Sequence, residues 1–420
     1  MKDINNSGDG GVYAELIQKR AFQGDEVGSS NHLRTQGSIV DLCAQMYPKN
    51  LTYWNALGAA ELSLQDLDKP LSDALPTSMQ VTAGADSEDT IGFSNAGFWG
   101  FPIVEGWRYN GNFYATGGLT GNLTIFLVST EDEVFVETQV PLSASEDWTK
   151  YEYTFTPERS APNGNNTLNF TFSSTDLDTS VNFNLLSLFP PTYNDRPNGL
   201  RVDLMEAMDR MNPSLFRMPG GNNLEGFHPP HWWNWTNTIG PLEQRPGSPG
   251  FWACEQTNGL GNLYQARPSR EKILIVASGI IEYLLWVQDL GKKPLLAVFA
   301  GLWLEGQIVP QGELQPYIDS ALNELEFLTG DASTPWGARR EALGYGPFEI
   351  NFVEIGKEDS LNDGTETYEA YRFDMFYKAI RAAYPNITII ASYYDVDATT
   401  PPYDAWGGFH EYAVPVQMSS

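Results

Sequence analysis

Two patterns of hydrophobic and polar residues divide the chain. Between residues 51 and 188, short runs alternate apolar and polar positions and are separated by turn residues. Alternation with a period of two is typical of antiparallel strands that bury one face. The clearest runs are residues 121–128, 133–140, 150–156, 167–173 and 181–189. This part is therefore predicted to form a β-sandwich.

A second pattern begins after the proline-rich segment 190–197. Apolar runs of strand length alternate with amphipathic segments of helix length, which predicts a parallel sheet with crossover helices. The predicted helices are residues 200–211, 280–290, 314–328 and 368–383. The predicted strands are residues 1–6, 213–218, 294–300, 350–355, 387–392 and 409–414. A further amphipathic segment, residues 12–22, has apolar positions at helical spacing.

The predicted fold class is α/β with an all-β insertion. Six strands are two fewer than a (β/α)8 barrel contains, so the barrel is expected to be incomplete. The domain prediction is residues 1–50 for the first barrel strand, helix and connection, 51–190 for the inserted β-sandwich, and 191–420 for the rest of the barrel. The chain is expected to end before strands seven and eight.

Charge narrows the choice of ligand. The chain has 53 acidic and 25 basic residues and a net charge of −28. Such a surface repels phosphate backbones and anionic lipids, so neither nucleic acid nor membrane is an expected partner. Neutral sugars fit better with the 12 tryptophans and 20 tyrosines, whose rings can stack on sugar rings.

Other sequence features bear on location and cofactors. Seven N-x-S/T sequons favour a secreted glycoprotein, although no apolar leader opens the chain, so its start is expected to be missing. Cys43 and Cys254 form no disulfide framework, and their pairing stays open. His228 and His231 have no third ligand nearby, and the glycine motif at 259–264 is imperfect. No metal or cofactor is expected.

The strongest candidate for chemistry follows the predicted strand 350–355. Gly356 breaks the run, and Lys357, Glu358 and Asp359 stand at the strand end. Loops at the carboxyl ends of barrel strands form the active face, so Glu358 is a catalytic candidate. The alternative is that Glu358 and Asp359 cap the following helix.

Three other places supply groups suited to a sugar. Arg217 and Asn222 lie in R-M-P-G-G-N-N at a strand end, which otherwise forms a plain turn with Arg217 in an ion pair. The aromatic loop 227–236 is predicted to form a sugar platform that includes Trp235. His410, in H-E-Y, is predicted to orient a carboxylate or a sugar hydroxyl, or else to cap the sheet.

These motifs carry a family resemblance. D-I-N-N-S-G-D-G-G-V-Y-A-E-L-I-Q-K-R-A-F-Q-G (3–24), R-M-P-G-G-N-N-L-E-G (217–226), T-I-G-P-L-E-Q-R-P-G (238–247), E-Y-L-L-W-V-Q-D-L-G (282–291) and V-E-I-G-K-E-D (353–359) are the main passages. W-N-W-T (233–236) and L-A-V-F-A-G-L (296–302) complete them. The chain resembles fungal-type α-L-arabinofuranosidases of glycoside hydrolase family 51.

The resemblance implies a (β/α)8 barrel with a sandwich inserted after its first strand. It implies retaining hydrolysis of terminal arabinofuranosyl groups from plant cell-wall arabinoxylan or arabinan. Glu358 matches the family's general acid/base. Arg217, Asn222 and Tyr412 match positions that contact the sugar or support the nucleophile.

The sequence also departs from the family pattern. Lys357 stands where the family has Asn, and an ammonium there is expected to favour the ionised form of Glu358. Lys2 stands where the family has a sugar-holding Glu, and Asn6 where it has His. No nucleophile is found, and residues 262–279 interrupt a segment that is continuous in the family.

Three hypotheses for the function follow. The chain is part of an enzyme and shows no turnover alone because it is incomplete, or it is a non-catalytic arabinosyl- or xylan-binding homologue, or it is a gene-model fragment that does not fold stably.

Overall fold

The computed structural model describes residues 12–23, 51–85, 89–219, 221–226, 228–230, 232–245, 279–393 and 403–408. These residues fall into two compact units. The sandwich unit takes its described residues from 3–211 and 236–279, and the parallel-sheet unit from 212–235 and 280–420. The predicted strands 1–6 and 409–414 lie outside the described residues.

The sandwich unit contains two five-stranded antiparallel sheets. One runs β1 (Trp54–Leu57), β4 (Thr90–Asn95), β9 (Asn166–Ser173), β6 (Gly121–Ser129) and β7 (Val134–Leu142) in spatial order. The other runs β2 (Ala60–Asp66), β3 (Thr77–Ala83), β10 (Leu177–Phe189), β5 (Tyr109–Leu119) and β8 (Ser145–Phe155). All five runs with clear alternation are strands.

The period-two pattern places one face of each strand in a common core. On β6, Leu123, Ile125 and Leu127 are buried, while the residues between them are partly exposed. Phe93 on β4 stacks on Phe170 of β9 with ring centroids 4.9 Å apart. Both sheets contribute to a single cluster of buried apolar side chains, which holds them together through the hydrophobic effect.

The prediction of a helix over residues 12–22 is wrong. This segment is extended and ends in a turn at residues 18–21, where it runs beside β10. The Leu16 amide donates to the Leu188 carbonyl oxygen (3.0 Å), and the Leu186 amide donates to that of Arg20 (2.9 Å). Ile17 therefore reaches the sandwich core from an extended chain, which overrides the helical spacing.

The parallel-sheet unit contains five parallel strands in sequence order. They are β11 (Leu215–Met218), β12 (Lys293–Val298), β13 (Phe352–Ile355), β14 (Thr388–Ala391) and β15 (Trp406–Gly407). The first four confirm predicted strands, whereas β15 was not predicted. Because all five strands are parallel, their carboxyl ends lie at one edge of the sheet.

Five helices of eight or more residues accompany these sheets in the described part of the chain. They are α1 (Val202–Met211), α2 (Ile280–Asp289), α3 (Gln315–Thr329), α4 (Pro335–Ala342) and α5 (Phe373–Ala383). A turn of π-helix, Tyr368–Arg372, leads into α5. The sequence did not predict α4, which is capped by Thr334, whose hydroxyl accepts from the Gly337 amide. No helix among the described residues is long and apolar enough to cross a membrane.

Candidate active site

The loop after β13 turns so sharply that its backbone requires glycine. Gly356 has φ +81°, and a Cβ there would lie 1.8 Å from Asp359 Oδ2. Glu358 also adopts a positive φ, +48°, which is uncommon outside glycine. A strained backbone at a strand end persists only where its surroundings hold it. The loop therefore presents Glu358 in a fixed, nearly buried position.

Lys357 forms an ion pair with Glu358 through Nζ and Oε2. The two side chains are 1% and 10% exposed. Beyond this ion pair, the ammonium has no hydrogen-bond partner in the part of the chain that the structure describes. The carboxylate of Glu358 is thus the counter-ion of a buried cation.

Asp359 holds the loop in place through hydrogen bonds and an ion pair. Its Oδ2 accepts hydrogen bonds from the Lys357 amide (2.8 Å) and from the Ser392 hydroxyl (2.7 Å), and its Oδ1 pairs with Arg372. Ser392 directly follows β14, so the carboxylate joins the ends of two neighbouring strands. These contacts occupy both oxygens of Asp359 and leave Glu358 as the stronger candidate for chemistry.

Arg372 and Tyr368 make further hydrogen bonds to backbone groups near the strand ends. Arg372 donates to the carbonyl oxygens of Ala300 (3.1 Å) and Gly364 (2.8 Å). The Tyr368 hydroxyl donates to the Ile355 carbonyl oxygen (2.7 Å) and accepts from the Ser392 amide (3.0 Å). Burial, and then the charge of Asp359, raises the pKa of Tyr368 well above its ordinary value, so this hydroxyl keeps its proton.

Arg217 lies on β11 and pairs with Glu354 on β13, across the intervening strand β12. The Glu354 side chain is 4% exposed. Arg217 Nη2 is buried and has no hydrogen-bond partner within the described ranges. One edge of the guanidinium is therefore anchored, and the other retains an unused donor.

Sequence reasoning did not single out Glu354. The available signal was a carboxylate inside the apolar strand F-V-E-I, because a buried charge in a strand needs a partner. The sequence also did not single out Arg372, which is fully buried, or Ser392. Their partners are distant in the chain, so no local motif marks them.

The structure contradicts the role predicted for Trp235. Its side chain is 1% exposed and packs against Phe327 and Trp336, with ring centroids 5.3 and 4.8 Å away. Its Nε1 donates to the Ser320 carbonyl oxygen at 3.1 Å. A ring enclosed in this way has no free face for a sugar, so Trp235 belongs to the core of the parallel-sheet unit.

Several predicted residues cannot be compared with the structure. Asn222 lies in the short helix Gly221–Asn223, and its side chain is outside the description. Lys2, His410 and Tyr412 lie outside the described residues, as do Cys43, Cys254, His231 and nearly all of the segment 262–279. Of the predicted site residues, Arg217, Trp235, Lys357 and Glu358 have described side chains, and all four lie in the parallel-sheet unit.

Comparisons with known proteins agree on one group of relatives. Residues 207–420 match the sequence model of the α-L-arabinofuranosidase 1 domain. A probable α-L-arabinofuranosidase A of Aspergillus terreus (strain NIH 2624 / FGSC A1156) is 37% identical over 427 residues, 100% of this chain and 61% of that protein. The α-L-arabinofuranosidase A of Aspergillus niger is 37% identical over 424 residues, 99% of this chain and 60% of its own length.

A solved structure shows the same likeness. The arabinose-bound α-L-arabinofuranosidase MgGH51 matches with a TM-score of 0.77 and 34% sequence identity, over 96% of this chain and 59% of that one. The chain thus spans about 60% of the length of the relatives that it matches. The match supports a fold of the barrel-plus-sandwich type.

Proposed function

The chain belongs to the α-L-arabinofuranosidase family, and from this premise we propose that its protein hydrolyses terminal arabinofuranosyl groups of plant cell-wall arabinoxylan or arabinan. The observation that carries the proposal is the position of Glu358. It is a nearly buried carboxylate in a braced loop at the carboxyl end of a parallel strand. Active sites of strand–helix barrels lie at this end.

The proposed mechanism is retaining and needs two carboxylates about 5–5.5 Å apart. Glu358 would protonate the glycosidic oxygen as the arabinofuranosyl group leaves, and would later take a proton from the attacking water. The second carboxylate would attack the anomeric carbon and form a covalent glycosyl intermediate. We assign no described residue to that second role.

Arg217 is proposed to bind the sugar. Glu354 fixes the guanidinium, while Nη2, which has no partner among the described residues, can donate to a sugar hydroxyl. Asn222, His410 and Tyr412 are proposed as further sugar contacts, and Lys2 stands at a position where relatives hold the sugar with a carboxylate. The roles of Asn222, Tyr412 and Lys2 rest on the family resemblance, and that of His410 rests on its place in the H-E-Y motif.

The proposal also covers the barrel architecture and the secretion of the protein. We propose that the parallel-sheet unit belongs to a (β/α)8 barrel, into which the sandwich of residues 51–190 is inserted. A secreted glycoprotein fits the sequons, since Asn122, Asn165 and Asn386 are exposed. Peptide mass spectrometry of the secreted protein would detect glycans at these three positions.

Turnover of an aryl α-L-arabinofuranoside tests the proposal. We expect Glu358→Gln to lower kcat by about 10²–10⁴-fold, the usual share of general acid–base catalysis. The matched control is Glu366→Gln, which removes an exposed carboxylate of the same unit and should leave kcat unchanged. Full activity of Glu358→Gln would refute the role of Glu358.

Two further outcomes are informative. Heat on calorimetric titration with arabino-oligosaccharides, without any product, would identify a binding protein instead of an enzyme. Turnover by residues 1–420 alone would show that the nucleophile lies within this stretch, against the expectation drawn from the sequence. Either result would revise the proposed reaction and leave the family assignment unchanged.

A further inference from the structure

The sandwich unit contains a cleft of about 560 Å³ that is separate from the proposed catalytic loop. One wall is formed by β5 and β8, and the other by residues 190–192 and 195–198, which follow β10. All lining residues belong to the sandwich unit. The volume lies within the range of pockets that hold small ligands.

Strand register explains why this wall is polar. Across β5 and β8, Asn110 pairs with Thr154, and Asn112 pairs with Glu152. Successive side chains of a strand point to opposite faces, so these four residues share the outer face of the sheet. The residues between them on the two strands, such as Tyr153, point into the sandwich core. The cleft therefore has a row of amide, hydroxyl and carboxylate groups on a rigid sheet.

The segment after β10 lines the cleft with both prolines and polar groups, among them Asp195 and Arg196. Phe189 ends β10 beside Asn110, and Pro190 and Pro191 continue the wall. Prolines beside a row of hydrogen-bonding groups suit a sugar, which has C–H faces and a rim of hydroxyls.

Basic residues outnumber acidic ones in the lining of the cleft, which includes Arg20, Arg108, Lys150 and Arg196 but only Glu152 and Asp195. Lys150 pairs with Glu152 (Nζ to Oε1, 2.8 Å), and the buried Arg20 pairs with Glu15. Arg108 is exposed at the head of β5, and no hydrogen bond or ion pair of Arg108 is found among the described residues. An unpaired guanidinium at the edge of a cleft, in a chain of net charge −28, favours an anionic group on the ligand.

We infer that this cleft binds an oligosaccharide carrying a uronate, with Arg108 receiving the carboxylate. The asparagines of β5 contact the sugar hydroxyls, and Pro191 and Pro197 face the ring. Guanidinium–carboxylate pairs are often bidentate, which gives the site selectivity for uronates over neutral sugars. This binding function lies beyond the proposed hydrolysis and does not depend on Glu358.

Calorimetric titration of the protein with three probes tests the inference. The probes are xylotriose bearing a glucuronosyl group, unsubstituted xylotriose, and inorganic phosphate. None carries an arabinofuranosyl group, so the proposed catalytic site does not recognise them as substrates. We expect the uronate probe to bind at least about tenfold more tightly than xylotriose, the effect of about 1.4 kcal/mol from one charged contact.

Single substitutions test whether the uronate probe binds in this cleft. Arg108→Ala should reduce the affinity for the uronate probe to that for xylotriose, and Asn112→Ala should weaken both. Arg159→Ala removes another exposed arginine of the sandwich unit as the matched control, and neither it nor Glu358→Gln should change the affinity. Equal affinities in wild type and Arg108→Ala, absence of binding by the wild type, or phosphate bound as tightly as the uronate probe would each overturn the inference.

Discussion

Lys357 and Glu358 are neighbours in sequence and form an ion pair almost closed to solvent, with side chains 1% and 10% exposed. Opposite charges attract more strongly where water is excluded, so the ammonium stabilises the ionised carboxylate. A general acid must carry a proton when substrate binds. Lys357 therefore opposes the first proposed step, protonation of the leaving oxygen, and favours the second, activation of water.

Replacement of Lys357 should release Glu358 from this constraint. We expect Lys357→Asn to raise turnover of an aryl arabinofuranoside at neutral pH by about tenfold, because the ionised form of Glu358 then loses its buried counter-ion. The alkaline limb of the pH–rate profile should move to higher pH, since the carboxyl group then keeps its proton longer. Lys378→Asn, which removes an exposed lysine paired with Asp374, is the control. An unchanged profile in Lys357→Asn would contradict the prediction.

The Arg217–Glu354 pair should couple stability to sugar binding. Glu354→Gln leaves the Arg217 guanidinium without its counter-ion, and removing one partner of a buried pair is costly. Because Arg217 is partly exposed, we expect a loss of about 2–4 kcal/mol in the free energy of unfolding. KM for the substrate should rise with it, because the donor Nη2 is then no longer held in place.

A double-mutant cycle checks this coupling. Arg217→Gln with Glu354→Gln removes both charges, so the double variant should be more stable than the sum of the two single effects predicts. Urea unfolding of the four proteins gives the coupling energy. Strict additivity would mean that the two residues do not depend on each other.

Trp235 should affect stability and not substrate affinity. Trp235→Phe loses the hydrogen bond to Ser320 and part of the buried ring, which should cost about 1–3 kcal/mol. KM should stay unchanged because the side chain is enclosed. Trp99→Phe, at a position 79% exposed, should leave the melting temperature unchanged. A large rise in KM for Trp235→Phe would restore its predicted role as a sugar platform.

The sequence predicted the elements whose pattern is local. Strand β13 and the break at Gly356 follow from an apolar run and one glycine, and they place Glu358 at a strand end. The residues 121–128 alternate cleanly and form β6. In both cases, the side chains near in sequence determine the structure.

The sequence did not predict the contacts that depend on distant residues. Asp359 meets Ser392 because neighbouring parallel strands end at the same edge, and it meets Arg372 from the π-helical turn before α5. Trp235 lies in a loop whose aromatic composition fits a sugar platform and a buried core equally well. The spacing of residues 12–22 fits a helix, yet pairing with β10 buries the same side chains in an extended chain.

Glu324 should make the stability of the parallel-sheet unit depend on pH. It lies on α3 with 3% exposure, and Oε1 has no hydrogen-bond partner in the described part of the chain. Burial raises the pKa of Glu324 from 4.5 to about 8. The folded protein thus keeps this proton to about pH 8, whereas the unfolded chain releases it near pH 4.5. Stability should fall as the pH rises through this window.

Glu324→Gln tests this because it keeps the shape of the side chain and removes its titration. For each pH unit in the window, ionisation of Glu324 should lower the free energy of unfolding of the wild type by about 1.4 kcal/mol. The variant has no such ionisation and should not show this loss. The melting temperature of the variant should therefore exceed that of the wild type by a margin that widens from pH 5 to pH 8. Glu366→Gln, which removes an exposed carboxylate, should show no such widening. A constant difference between Glu324→Gln and wild type would mean that Glu324 is already ionised in the folded protein, and that a cation or water compensates its charge.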